Sequence, residues 1–166
     1  MKGKIHKILL NEITHLVVLI IISFMIGVCF VVVYKVDNEQ LVELGSLKKY
    51  EIGAEGIFIV DQYYLENKAL YIEGCFLRLG EDLDYVNSSF VLIDESEICW
   101  AINTIPTKRE SATEFFNDGY NYDDSGLKGY IPLSKLKRGK YRIGIVTKNK
   151  ENVSEIKISD KIYERE

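Results

Sequence analysis

The hydrophobic pattern divides the chain sharply. Leu16 to Tyr34 reads LVVLIIISFMIGVCFVVVY, 19 residues without a charge. At about 1.5 Å per residue a helix of that length spans about 28 Å, close to the hydrocarbon core of a bilayer. Many of these residues are β-branched. In lipid, however, the backbone must satisfy its own hydrogen bonds, and that selects a helix. From Gly56 onward the rhythm changes to short apolar or alternating runs separated by turn residues. Strands are expected over Gly56–Gln62, Leu70–Leu79, Ser88–Ile93, Glu97–Ile105, Gly126–Leu133, Lys140–Lys148 and Val153–Ile158. Ile98, Trp100 and Ile102 share one face of the fourth, and Tyr141, Ile143 and Ile145 one face of the sixth. Helix-length amphipathic patterns between the strands are missing, which argues against a parallel α/β sheet. The expected fold is mainly β: an antiparallel seven-stranded sandwich, Ig-like or jelly-roll-like, preceded by one N-terminal transmembrane helix.

The domain boundaries follow. Residues 1–15 form a cytoplasmic segment, 16–34 the transmembrane helix, 35–55 a juxtamembrane connector and 56–166 an extracytoplasmic domain. Within the connector, Leu41, Leu44 and Leu47 recur every three residues, as in a short amphipathic helix, while Gly45-Ser46 offers an equally good break. Lys2, Lys4 and Lys7 precede the span, and Asp37, Glu39 and Glu43 follow it. The positive-inside rule then puts the N-terminus in the cytoplasm, the C-terminal domain outside and the helix in the cell membrane. A cleaved signal peptide has a shorter apolar core and a small-residue cleavage site. A lipoprotein would need a small residue where Val28 precedes Cys29, and a type IV pilin would need glycine where Lys7 stands. The span therefore reads as a retained signal anchor.

Composition adds two constraints. Tyrosine is frequent (11 of 166 residues) and proline scarce (2), a bias toward pleated surfaces. The net charge is −4, and the basic residues of the N-terminal segment leave the rest more acidic still. Nucleic acid is a poor partner for such a domain, because the phosphate backbone rewards positive charge. The expected partner of the apolar span is the lipid bilayer.

Catalytic patterns are sparse. The two histidines, His6 and His15, lie before the span or at its start, so the outer domain holds no His-dependent triad and too few ligands for zinc. No Gly-rich phosphate loop occurs. No cofactor, metal site or catalytic residue is expected. Carboxylates cluster at Glu81-Asp82-Asp84, Asp94-Glu95-Glu97 and Asp118 with Asp123-Asp124, without the spacing of an EF-hand, and read as solvated turns. Cys75 and Cys99, on two expected strands, stand either as a disulfide or as two buried thiols. The basic run Lys135–Lys140 reads as a hairpin edge or an anion-facing patch. Candidate ligand contacts are Arg109, Tyr120, Tyr122 and Asp123 in the long polar stretch 107–125, with Trp100 as a further aromatic whose alternation places it in the core. In the membrane segment, Ser23, Gly27 and Cys29 are the small residues that permit close helix approach.

Several motifs occur in order: Ile72-Glu73-Gly74, Phe90-Val91-Leu92, Arg109-Glu110, Phe115-Phe116, Tyr122-x-x-Ser125-Gly126-Leu127, and Leu136-x-x-Gly139-x-Tyr141-x-Ile143-Gly144-Ile145. Together they resemble the small β-sandwich domains attached to, or encoded beside, enzymes that make surface polysaccharides and teichoic acids in Gram-positive bacteria. The likeness covers about residues 56–160. The family pattern has Arg-Asp at Arg109-Glu110, an aromatic at Leu127 and Trp at Cys75. The resemblance implies a non-catalytic accessory role, contacting glycan or a partner enzyme. The alternative is a scaffold subunit of a membrane complex, in which the transmembrane helix carries the specificity. A third reading is a hydrolase built on outer carboxylates, which would need two of them about 5–10 Å apart.

Overall fold

The computed structural model describes residues 2–38, 41–53, 55–81, 88–148 and 154–166. It divides into two compact units, Met1–Asn38 and Glu39–Glu166. The first is one helix, α1 (Lys2–Asn38). Within it Thr14–Tyr34 is long and apolar enough to cross a membrane, and none of that stretch is buried.

The second unit is mainly β, with two sheets. Its strands are β1 (Val42–Ser46), β2 (Glu51–Ile52), β3 (Ile57–Glu66), β4 (Ala69–Leu77), β5 (Ser88–Ile93), β6 (Ile98–Ala101), β7 (Asn103–Thr107), β8 (Gly126–Pro132), β9 (Gly139–Lys148) and β10 (Ser154–Arg165). A short helix, α2 (Glu110–Phe116), interrupts the polar stretch. One sheet has six strands in the order β1-β6-β5-β9-β10-β2, the other four in the order β3-β4-β8-β7. All pairs are antiparallel except β10–β2.

Strand alternation builds the core. In β5, Phe90 and Leu92 face the main core while Val91 and Ile93 join a second cluster, as a period of two requires. The main core draws on both sheets: Leu70, Ile72 and Phe76 of β4 and Leu127 and Ile131 of β8 join Phe90, Leu92, Ile143 and Ile145. The second cluster contains Val91, Ile93, Cys99 and Ile156, with Leu44, Leu47 and Tyr50 packed among them.

The expected seven strands become ten among the described residues, for two local reasons. The connector supplies two of them. Leu41, Leu44 and Leu47 do not form a helix face. Gly45, at φ +88°, takes a bulge that sets β1 on β6, and a 3-10 turn at Leu47–Lys49 follows. The β unit thus starts well before residue 56. The expected fourth strand, Glu97–Ile105, splits in two. Its chain leaves the six-stranded sheet after Ala101 and enters the other at Asn103. Between them Ile102 is buried in the core and donates its N–H to the Phe90 carbonyl, while the Thr104 hydroxyl accepts from the Phe90 N–H. The last strand continues to Arg165, through a register shift between Ile158 and Ile162. Glu39, Asp82, Asp84 and Val153, named above, lie outside the described residues.

Candidate functional site

The outer face of the four-stranded sheet carries a polar and aromatic array. On β4, residues alternate between the core (Leu70, Ile72, Phe76) and the outer face (Tyr71, Glu73, Cys75, Leu77). Strand pairing sets neighbours beside them. Tyr71 lies between Tyr64 of β3 and Tyr130 of β8, and Glu73 between Gln62 and Lys128. Tyr64 and Tyr71 stack at 5.3 Å between ring centroids, and Tyr71 and Tyr130 pack at 5.1 Å. These cross-strand contacts hold a row of rings on a half-buried surface.

Glu73 is the hub of the next row. Its carboxylate accepts from Lys128 Nζ at 2.8 Å, Gln62 Nε2 at 2.7 Å and the Tyr64 hydroxyl at 3.1 Å. The Lys128 ammonium also lies over the Tyr71 ring, 5.6 Å from its centroid. Hydrogen bonds from Lys128, then Gln62, stabilise the charged carboxylate and hold its pKa down to about 2 from the usual 4.5. The same contact raises the Lys128 pKa.

A bulge builds the following row. The β3–β4 register shifts between Val60 and Gln62, which leaves Asp61 as the extra residue. Opposite the bulge, Gly74 is required, because a Cβ there would collide with the Ile59 carbonyl oxygen. Asp61 meets Arg109 in a bidentate pair, at 2.6 and 3.1 Å. That hydrogen-bonded pairing raises the Arg109 pKa. Arg109 is positioned from behind: its backbone N–H donates to the Asp123 carbonyl, and the Asp123 carboxylate accepts from the Thr113 hydroxyl of α2. Gly126 keeps the floor low, since a Cβ would come within 2.6 Å of the Thr107 carbonyl oxygen.

Two depressions result. A polar cleft of about 360 Å³ is walled by Asp61, Glu73, Lys108, Arg109 and Lys128. A more apolar groove of about 270 Å³ is lined by Ile57, Ile59, Leu77, Phe115 and Phe116, with Arg109 at its edge. The cleft offers fixed hydrogen-bond donors and acceptors side by side, next to aromatic rings.

The residues expected from sequence distribute unevenly. Arg109 lies in the cleft. Asp123 supports it from outside. Tyr122 is fully buried between Leu77, Ala112 and Phe116, and its hydroxyl donates to Asp118 and accepts from the Gly80 N–H. It is a packing residue, and cannot stack on a ligand. Tyr120 is exposed but lines neither depression. Trp100 is half-buried against the main core, and its indole N–H donates to Asp94 at 2.9 Å. Asp94 also accepts from the Ser96 and Ile98 N–H groups, so this carboxylate organises a turn. In the basic run Lys135–Lys140, Leu136 is buried and Lys140 meets Glu164 at 3.7 Å. The cysteines are free. Cys75 and Cys99 lie on different sheets, Cys75 lining the groove and Cys99 in the second cluster, so no disulfide joins them. Among the described residues, no group of three or more His, Cys, Asp or Glu side chains is placed to hold a metal ion. In α1, Ser23 and Gly27 are four residues apart and share a face. Cys29 is turned about 200° from Gly27 and does not join them.

Sequence reading missed Asp61, Glu73, Lys108, Lys128 and the three tyrosines of the row. The available signal was alternation: Tyr71 with Glu73, and Lys128 with Tyr130, at strand spacing. The pairing that joins them spans more than fifty residues of chain.

No protein-family model matches the chain, and comparison with curated proteins finds no match.

Proposed function

We propose that this chain is a single-pass, membrane-anchored, non-catalytic accessory protein of the cell envelope, whose outer β-sandwich contacts a glycan of surface-polysaccharide assembly. Its N-terminus is cytoplasmic and its β unit faces outward, as the flanking lysines favour. The observation that carries the reading is the array on the outer face of β3, β4 and β8. A polyhydroxylated ligand needs donors and acceptors held rigidly beside an apolar face. The Asp61–Arg109 and Glu73–Lys128 pairs, next to the Tyr64–Tyr71–Tyr130 row, supply both. The resemblance of residues 56–160 to polysaccharide-associated domains agrees with this class of ligand.

The chemistry favours binding over hydrolysis. A glycosidase acid needs a carboxyl held protonated near neutrality. Glu73 is driven the other way, to about 2, by Lys128 and Gln62. Such a carboxylate accepts hydrogen bonds and does not deliver a proton.

The full chain, held in a lipid-free peptide disc, is titrated with teichoic and capsular polymers by calorimetry. Binding to at least one polymer is expected, weakened about tenfold or more by Asp61→Ala and by Tyr71→Ala, since a few central contacts dominate affinity. Absence of binding across these polymers, with no membrane enzyme co-purifying, refutes the reading.

A further inference from the structure

The polar cleft and the apolar groove meet at Arg109, which lines both. Asp61 and Glu73 each face a cation of their own, Arg109 and Lys128. Lys108 also lines the cleft, and its exposed ammonium has no ion-pair partner among the described residues. The cleft therefore carries one surplus positive charge, adjacent in the chain to the arginine that borders the groove. Asp61 engages two N–H groups of Arg109, leaving the others of its five to a second acceptor. On the groove side, Phe115 is 81% exposed and Ile59 45% exposed. Along β4 the sequence of environments is Tyr71, Glu73, Cys75, Leu77, so rings, ion pairs and apolar groove succeed one another over roughly 20 Å.

We propose that this face takes an amphipathic anion: a phosphate joined on one side to a saccharide and on the other to an apolar chain. The inference rests on the glycan reading above and specifies the ligand. The phosphate sits at the junction, on the Lys108 ammonium and the remaining Arg109 N–H groups. The apolar chain runs along Ile59, Phe115 and Phe116. The saccharide lies among Asp61, Glu73 and Lys128. A free sugar would leave the groove in water, and an uncharged apolar chain would leave Lys108 unused.

Hexyl phosphate tests the junction without presuming the sugar. It is titrated against the full chain in a lipid-free peptide disc, with inorganic phosphate and hexanol as comparisons and a disc holding a peptide of residues 1–38 as the blank. The expected result is affinity about tenfold or more above either comparison, because the charge and the chain then bind together. Lys108→Ala and Phe115→Ser should each remove most of that advantage with thermal melting unchanged, both side chains being exposed. Hexyl phosphate binding no tighter than inorganic phosphate overturns the proposal. So does hexanol binding equally well, which would assign the groove to an uncharged apolar partner. Wild-type affinity in both variants overturns it too. A chain that binds envelope glycan but fails here loses this inference alone, and one that binds neither loses both.

Discussion

At the scale of single residues, the outer face depends on a carboxylate whose charge is fixed by its neighbours. Glu73 has a folded pKa near 2 against an unfolded value near 4.5, through Lys128 and Gln62. Its contribution to stability is therefore complete above pH 4.5 and is lost as pH falls toward 2. Glu73→Gln removes the titration. The variant should melt below the wild type at pH 7, with the gap shrinking from pH 4.5 downward and vanishing near pH 2. Melting curves across that range check it, and a gap constant with pH would contradict the assignment. The cysteines give a second prediction. Burial pushes the Cys99 thiol up to about 11 and raises that of Cys75. At pH 8 a thiol of pKa 11 is about one-thousandth thiolate. Folded protein should therefore alkylate slowly at Cys99, and oxidised and reduced samples should show the same intact mass apart from modification at the exposed Cys29.

At the scale of elements, the hairpin between β3 and β4 shows what alternation and turn chemistry can and cannot tell. Both strands follow from their apolar runs. The register between them follows from the two-residue loop Asn67-Lys68, closed by the Glu66–Ala69 pair. Both loop residues have positive φ, 49° and 61°. That is the conformation a two-residue hairpin with this twist requires, and Asn-Gly suits it best. Lys68→Gly should relieve the left-handed strain and stabilise by about 0.5–1 kcal/mol, read as a higher melting temperature. Gly74→Ala should cost about 1–3 kcal/mol or more, since the Ile59 carbonyl must yield. The bulge that makes Gly74 necessary was not legible, because apolar residues stand at both odd and even positions from Ile57 to Leu65 and hide the change of phase that an extra residue makes. The same holds for the break at Ile102, where an uninterrupted alternation conceals a change of sheet. The leucine spacing in residues 41–47 fitted a short helix and a break at Gly45-Ser46 equally well, and the structure takes the break. A period of three imitates a helix, but Gly45 lets the chain set Leu44 in a strand and Leu47 in a 3-10 turn instead. Arg109 was legible as a hydrogen-bonding cation in a polar stretch. Its partner Asp61 was not, because the contact lies 48 residues away.

At the scale of the whole molecule, the question is what the helix contributes to the proposed function. Two properties of α1 bear on it. Its apolar stretch, Thr14–Tyr34, is unburied along its length and long enough to span a bilayer. Of the three small residues named for close helix approach, Ser23 and Gly27 are one turn apart, whereas Cys29 faces elsewhere, so two of the three share a face. A binding face that narrow favours a tether, and a tether acts by confining the β unit to a plane and raising its effective concentration toward ligands held there. The proposed amphipathic ligand would be confined to the same plane, so its loss of translational freedom is largely paid before the two meet. This makes a definite prediction. On the function proposed above, replacing residues 16–34 by an unrelated apolar helix of equal length should preserve both membrane fractionation and activity in envelope polymer assembly. Releasing the β unit by deleting residues 1–38 should abolish activity at native expression while leaving its melting temperature unchanged. Complementation of a deletion strain with the two variants measures both. Loss of activity in the helix swap would transfer the specificity to Ser23 and Gly27 and make the chain a scaffold subunit instead.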